Sequence, residues 1–260
     1  MVVTMNKDFK KHIINALNKN IRLDGRKLDE YREIEVETDV SQTAEGSARV
    51  KIGDTEVIAG VKLVITTPFP DTPDVGGIMV NAEFLPMASS AFESGPPGMD
   101  SIELARVIDR GIRESKGIDV KKLCITKGEK CWTVSVDVCT INAAGNLLDA
   151  SALASIIAIK NARFPEFDGV EVNYKKRTDE KIPLSKTPIA VTVYKIGDHL
   201  VLDPTIEEEE VSDSRLTVTA TKDGNLCALQ KNGSTPLTTE EVEKMISLAV
   251  EKSKLLRKYV

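Results

Sequence analysis

The chain has 260 residues, 41% hydrophobic and 29% charged, enough to bury a large core as one domain or as two tightly packed halves. Its net charge of −5 excludes bulk attraction to nucleic acid or acidic membranes, so any polyanion must be held by a local patch. No apolar run reaches membrane-spanning length, and the cysteines at 124, 131, 139 and 227 lack metal-ligand spacing; the expectation is a reduced, cytoplasmic protein with no membrane partner.

In chain order, residues 7–20 fit an amphipathic helix with Phe9, Ile13, Ile14 and Leu17 on one face. The basic stretch Arg22-Leu23-Asp24-Gly25-Arg26-Lys27 follows as a turn, so the N-terminus reads as an extension docked on a core. From Ser47, apolar residues alternate through Ala48, Val50 and Ile52, turn at Gly53-Asp54, and resume through Val57, Ala59, Val61 and Leu63. That period and turn chemistry predict a β-hairpin.

A helix is expected over 101–116, after the break at Pro96-Pro97-Gly98, with Asp100 as cap and Glu103 three residues later. At about 100° per residue, Arg106, Arg110 and Arg113 share one face, opposite Leu104, Ala105, Ile108 and Ile112. Guanidinium forks stay charged and match phosphate geometry, which makes the stripe a candidate polyanion contact. The plainer alternative is a set of surface ion pairs with Glu103, Asp109 and Glu114.

A strand over 132–139 leads through Gly145-Asn146-Leu147 into a helix near 149–162. Cys131 and Cys139 share one side of that strand, and Trp132 on the other is expected to pack or to meet a neighbouring subunit. Downstream, Lys195-Ile196-Gly197-Asp198 repeats the turn Lys51-Ile52-Gly53-Asp54, a strand over 216–220 reaches Gly224-Asn225-Leu226, and a helix follows over 239–258. The chain therefore reads as a duplicated strand-strand-strand-helix unit, the first copy holding an insertion that includes the arginine helix. Prolines 165, 183 and 188 and the charged run 175–181 mark a linker between the copies.

The run Glu207-Glu208-Glu209-Glu210, read as a strand, alternates between faces, so it predicts a solvated or ion-paired edge and no metal site. No nucleophile stands out beside His12 or His199, and His199 is expected on a strand edge. Gly76-Gly77 and Gly95-Pro96-Pro97-Gly98 lack the Lys-Ser/Thr of a phosphate loop and read as turns.

Three motifs in order, Ile21-Arg22-Leu23-Asp24-Gly25-Arg26, Gly46-Ser47-Ala48-Arg49-Val50 with Gly53-Asp54-Thr55-Glu56-Val57, and Leu104-Ala105-Arg106-Val107-Ile108-Asp109-Arg110-Gly111-Ile112-Arg113, resemble the RNase PH family. The resemblance runs from about residue 21 onward. It implies an α/β (α+β) RNase PH-like fold of duplicated β-β-β-α units, of the ribosomal protein S5 domain 2-like type, in a hexameric ring. The implied division is an extension over 1–29, a first domain over 30–165, a linker over 166–188 and a second domain over 189–260. The extension and the stretch Gly145-Asn146-Leu147-Leu148-Asp149-Ala150 look most like the non-catalytic RNase PH-like subunit of the archaeal exosome.

The departures from the family pattern fit that reading. Catalytic members place a Gly-Gly-Thr-Arg-type phosphate turn where this chain has Gly145, Asn146, Leu147 and Leu148, and leucine side chains donate nothing to phosphate. Two aspartates six apart in catalytic members fall on Glu209 and Arg215, and an arginine can neither ligate Mg²⁺ nor act as a carboxylate base. Asp213, on the same strand parity as Arg215, would return a carboxylate to the site after a two-residue slip. The loop 66–74 has two aspartates where catalytic partners carry arginines, so it is not expected to be a main RNA contact.

The resemblance thus implies a chain with no catalytic residues, metal or cofactor of its own. It would alternate in a ring with a catalytic RNase PH-like subunit that uses inorganic phosphate and Mg²⁺ for 3′-to-5′ RNA degradation. RNA-binding cap subunits and single-stranded RNA are the further implied partners, with Arg106, Arg110 and Arg113 holding the RNA. The alternatives are a self-sufficient phosphorolytic exoribonuclease using Asp213 or Glu209, and a structural ring member whose arginines touch only protein.

Overall fold

The computed structural model describes residues 7–260. The first helix, α1 (Lys7–Leu17), buries Ile13 and Leu17. They pack against Ile196, Val201 and Val211 of the C-terminal half, far away in sequence. The basic turn that follows carries the chain back toward the N-terminal half.

That half is built on a mixed sheet. Its strands are β1 (Ile34–Thr38), β2 (Gly46–Ile52), β3 (Thr55–Thr66), β4 (Gly77–Phe84), β5 (Cys124–Thr126) and β6 (Lys130–Asn142). The order is β1-β2-β3-β6-β4, with β5 added beside β6. The hairpin of β2 and β3 turns at Gly53-Asp54, where Gly53 takes a φ of +56°. Every second residue of β3 from Thr55 to Leu63 is buried, the period of a strand with one face on a core.

β4 runs parallel to β6. A parallel neighbour needs a crossover, and α2 (Met99–Glu114) supplies it. This helix begins two residues before the expected position. Gly98 is the extended residue before it, the Ser101 hydroxyl donates to the Gly98 carbonyl at 2.9 Å, and Asp100 lies inside the first turn. The expected capping box is therefore absent, because Glu103 is turned toward the C-terminal half.

α3 (Leu147–Asn161) is buried on nearly every side and lies between the two halves, against β2 and β3 of one. Gly46 lets it approach, since a Cβ there would stand 2.4 Å from the Ala158 carbonyl oxygen. Trp132 packs within the chain, its ring centroid 5.6 Å from that of Phe164. The stretch expected as a linker is more ordered than a tether: β8 (Val172–Lys181) lies within it and pairs antiparallel with β7 (Arg163–Phe167), which enters it from the first domain.

The C-terminal half has β9 (Ile189–Ile196), β10 (His199–Leu202), α4 (Ile206–Glu210), β11 (Ser214–Ala220), β12 (Leu226–Asn232) and α5 (Thr239–Leu256). Its sheet is antiparallel in the order β10-β9-β11-β12, with α5 on one face and α3 touching β9. Thr238 and Glu241 cap α5 reciprocally. His199 lies on the edge strand β10, its Nε2 2.8 Å from Asn18 Oδ1.

Two local expectations change. The glutamate run 207–210 forms the helical turn α4, because Glu208 reaches back to accept from the Thr205 N–H at 3.1 Å. Gly224-Asn225 turns β11 into β12, a strand that the expected unit lacked, and α5 then follows over Thr239–Leu256, where a helix is expected. The two hairpins also join their sheets differently. β3, the second strand of its hairpin, pairs with β6, whereas β9, the first strand of its own, pairs with β11. Among the described residues no helix is long and apolar enough to cross a membrane.

Candidate functional site

The turn between β6 and α3 is held from both halves. Gly145 has a φ of +93°, and a Cβ there would lie 2.4 Å from the Pro204 carbonyl oxygen, so only glycine fits. Its carbonyl accepts from the Thr55 hydroxyl at 2.6 Å and from Arg32 Nη2 at 3.2 Å. Asn146, left-handed at φ +55°, donates from its side chain to Asp203 at 3.0 Å and to Asp149 at 3.2 Å.

Leu147 and Leu148 emerge from this turn into a cleft of about 330 Å³ whose other walls include Phe84, Phe92 and Leu104. Glu209 and Arg215 line the same cleft, so the fold brings Gly145, Leu147 and Leu148 of the turn together with both residues that the sequence singled out near β11. Glu209 is engaged on both oxygens, accepting from the Tyr194 hydroxyl at 2.6 Å and from the Asn146 N–H at 3.1 Å. Arg215 donates to Glu103 at 2.9 Å. Burial disfavours the guanidinium charge, but Tyr194, Glu103 and Glu209 outweigh it, and the pKa is raised.

Asp213 faces elsewhere. It accepts from Lys10 Nζ of α1 at 2.6 Å and from the Gly197 N–H at 2.7 Å. The pairing of β11 with β9 is regular from Ser214 to Ala220, so no slip returns Asp213 to the cleft. The donor set does not fit a magnesium-bound phosphate: a charged arginine stands beside Glu209, and the side chains that the turn sends into the cleft are Leu147 and Leu148.

The arginine stripe is exposed on α2, away from this cleft, which α2 lines only with Asp100 and Leu104. Arg113 donates to Asp109 at 2.7 Å and to the Ile78 carbonyl at 2.9 Å. Arg110 reaches Gln230 on β12 at 3.4 Å, at the outer limit of a hydrogen bond. Arg106 has no hydrogen bond or ion pair among the described residues. The ion-pair alternative thus describes Arg113 and not Arg106. The loop 66–74 presents an exposed Phe69 with Asp71 and Asp74.

Sequence reasoning missed a buried ionic hub. Arg22 is 1% exposed and pairs with Glu208, its Nε 2.9 Å from Oε1. Asp203, fully buried at φ +45°, accepts from Arg26 at 3.0 Å, from Arg32 Nη2 at 2.7 Å and from Asn146. Asp149 accepts from the Tyr31 hydroxyl at 2.6 Å and the Thr192 N–H at 2.8 Å. Burial, with Asp203 nearby, outweighs these bonds and pushes its carboxyl up to about 7. One signal was visible: Asp149 is the acidic residue of an otherwise apolar helix.

Comparison with known proteins identifies the family. Models of the 3′ exoribonuclease (RNase PH) family match residues 30–165 as domain 1 and 186–252 as domain 2. The chain is 46% identical over 253 residues to exosome complex component Rrp42 of Methanothermobacter thermautotrophicus, covering 96% of this chain and 93% of the relative. It is 48% identical over 246 residues to the component of that name from Methanocella arvoryzae, covering 95% and 93%. A chain from the Archaeoglobus fulgidus exosome with RNA bound to the active site superposes with a TM-score of 0.90 at 43% identity, covering 97% of both chains.

Proposed function

The chain belongs to the RNase PH family of 3′ exoribonucleases, and we propose that within it the chain is the non-catalytic subunit of an archaeal-type exosome. It alternates in a six-membered ring with a catalytic RNase PH-like subunit, which uses inorganic phosphate and Mg²⁺ to degrade single-stranded RNA from its 3′ end. RNA-binding cap subunits complete the assembly.

The observation that carries this reading is the cleft in which Leu147, Leu148 and the Glu103-paired Arg215 stand together. It offers attacking phosphate no side-chain donor from the turn, and it offers the reaction no second carboxylate at residue 215. The self-sufficient alternative is disfavoured because Asp213 is bound by Lys10 and Gly197, and Glu209 by Tyr194 and Asn146.

The chain's own contribution is positioning and charge. Arg106, Arg110 and Arg113 line an exposed helix and hold RNA phosphates for a site completed by the partner. The purified chain, given RNA, phosphate and Mg²⁺, is expected to release no nucleoside diphosphate, and to support release when mixed with the catalytic subunit. Release by the chain alone overturns the reading.

A further inference from the structure

The cations near α2 do not stop at Arg113. Directly after the helix, Lys116 takes a left-handed φ of +50°, and the chain then enters a 3-10 turn, Val120–Leu123, that carries Lys121 and Lys122. Arg113, Lys116, Lys121 and Lys122 all line one cleft of about 770 Å³, between the end of α2, the start of β4 and residues 182–185. Among the described residues its only carboxylate is Asp119, whose oxygen accepts from the Lys121 N–H at 3.3 Å. The three lysines are exposed and form no ion pair among the described residues.

The cleft has a fixed floor. The Asp119 N–H donates to the Pro183 carbonyl at 3.0 Å and the Ser185 N–H to the Gly117 carbonyl at 2.7 Å, pinning both walls together. Ile118 is buried, and half-buried Ile78 and Val120 give an apolar surface beside the charges. The cleft at the altered active site has the opposite bias, with Asp100, Glu209 and Glu210 against Arg215 alone. An anion is repelled from one cleft and drawn to the other.

Cations complement the negative end of a helix, which accounts for Arg113 and Lys116. It does not account for Lys121 and Lys122, which belong to another element and crowd like charge into one concavity. Arg106 to Lys116 spans about 15 Å of helix rise, longer than one phosphate contact.

We propose that this cleft is a second RNA-backbone site, in which Lys116, Lys121 and Lys122 take the phosphates of single-stranded RNA continuing along α2 from the arginine stripe, with ribose or base against Ile78 and Val120. The proposal rests on the reading that α2 contacts RNA. An acidic protein segment is the competing occupant; the apolar surface flanked by separated cations favours a nucleotide chain, whose charge alternates with flat apolar faces.

The test uses the chain assembled with its catalytic subunit and measures affinity for a homopolymeric single-stranded RNA against salt. Lys121→Ala/Lys122→Ala is expected to lower the slope of log affinity on log salt by about 1.4, two phosphates at about 0.7 each, with the mass of the assembly unchanged. Lys121→Arg/Lys122→Arg is expected to keep the slope. An unchanged slope in the alanine variant, loss of assembly mass, or displacement by a polyglutamate peptide as effective as RNA overturns the proposal. Arg106→Ala/Arg110→Ala is measured in parallel; if it alone leaves RNA affinity unchanged, the α2 reading fails while the lysine variant is still read by its own slope.

Discussion

Arg215 on β11 and Glu103 on α2 form an ion pair, Nη2 to Oε2 at 2.9 Å, that ties the C-terminal sheet to the crossover helix of the N-terminal half. Asn232 of β12 joins it, its amide 2.5 Å from the same Glu103 oxygen. Arg215 is thereby part of the scaffold that joins the two halves.

Arg215→Asp is therefore expected to destabilise the chain without creating activity. It replaces the cation that interacts with Glu103 and Glu209 by a third carboxylate, and Leu147 and Leu148 still give phosphate no donor. A loss of about 1–3 kcal/mol is expected in urea unfolding, with no nucleoside diphosphate release by the isolated chain.

Arg22→Ala should be the more damaging change. The guanidinium is fully buried, bonded to Glu208 and to the carbonyls of Leu202 and Asp203, and its removal leaves an uncompensated buried carboxylate. The expected cost is about 3–5 kcal/mol by chemical denaturation. Glu208→Gln in the same background should recover part of it, because the stranded charge is then gone.

Asp149 gives stability a pH dependence of unusual sign for a carboxylate. Its pKa is near 7 in the folded chain against 3.8 for a free side chain, so between those values the folded state holds a proton that the unfolded state has released. This group's contribution is full below about 3.8 and is lost as pH rises through about 7. Melting temperatures of wild type and Asp149→Asn across that window should diverge, the wild type falling with pH and the variant lacking that component.

The arginines of α2 should not act equally. Among the described residues Arg106 is unpaired and Arg110 reaches only Gln230, so Arg106→Ala and Arg110→Ala are each expected to reduce the salt slope of RNA binding by about 0.7. Arg113 is held by Asp109 and the Ile78 carbonyl, so Arg113→Ala should also lower thermal stability, which the other two leave nearly unchanged.

Much of this was legible in residue order because it is local. Period-two runs marked β2 and β3, the repeated Lys-Ile-Gly-Asp turn marked β9, proline and glycine breaks marked α2, and the arginine stripe follows from helical spacing alone. That Leu147 and Leu148 give phosphate no donor and that Arg215 cannot act as a carboxylate follows from side-chain chemistry alone, whereas their reading as departures came only from the family resemblance. Local pattern erred at the glutamate run, where a helical turn replaces the expected strand, since four like residues carry no period and the contacts of Glu208 with the Thr205 N–H and with Arg22 are not visible in it.

Tertiary structure alone decided which charges meet. Arg22 and Glu208 are 186 residues apart, Arg32 and Asp203 are 171 apart, and nothing in residue order pairs them. The same holds for Asp213, which chain parity would allow into the cleft and which Lys10 and Gly197 hold outside it. Composition and spacing state what each side chain can do; burial between two sheets states which partner it has, because a charge withdrawn from water must find its counter-charge or polar contact in space and not along the chain.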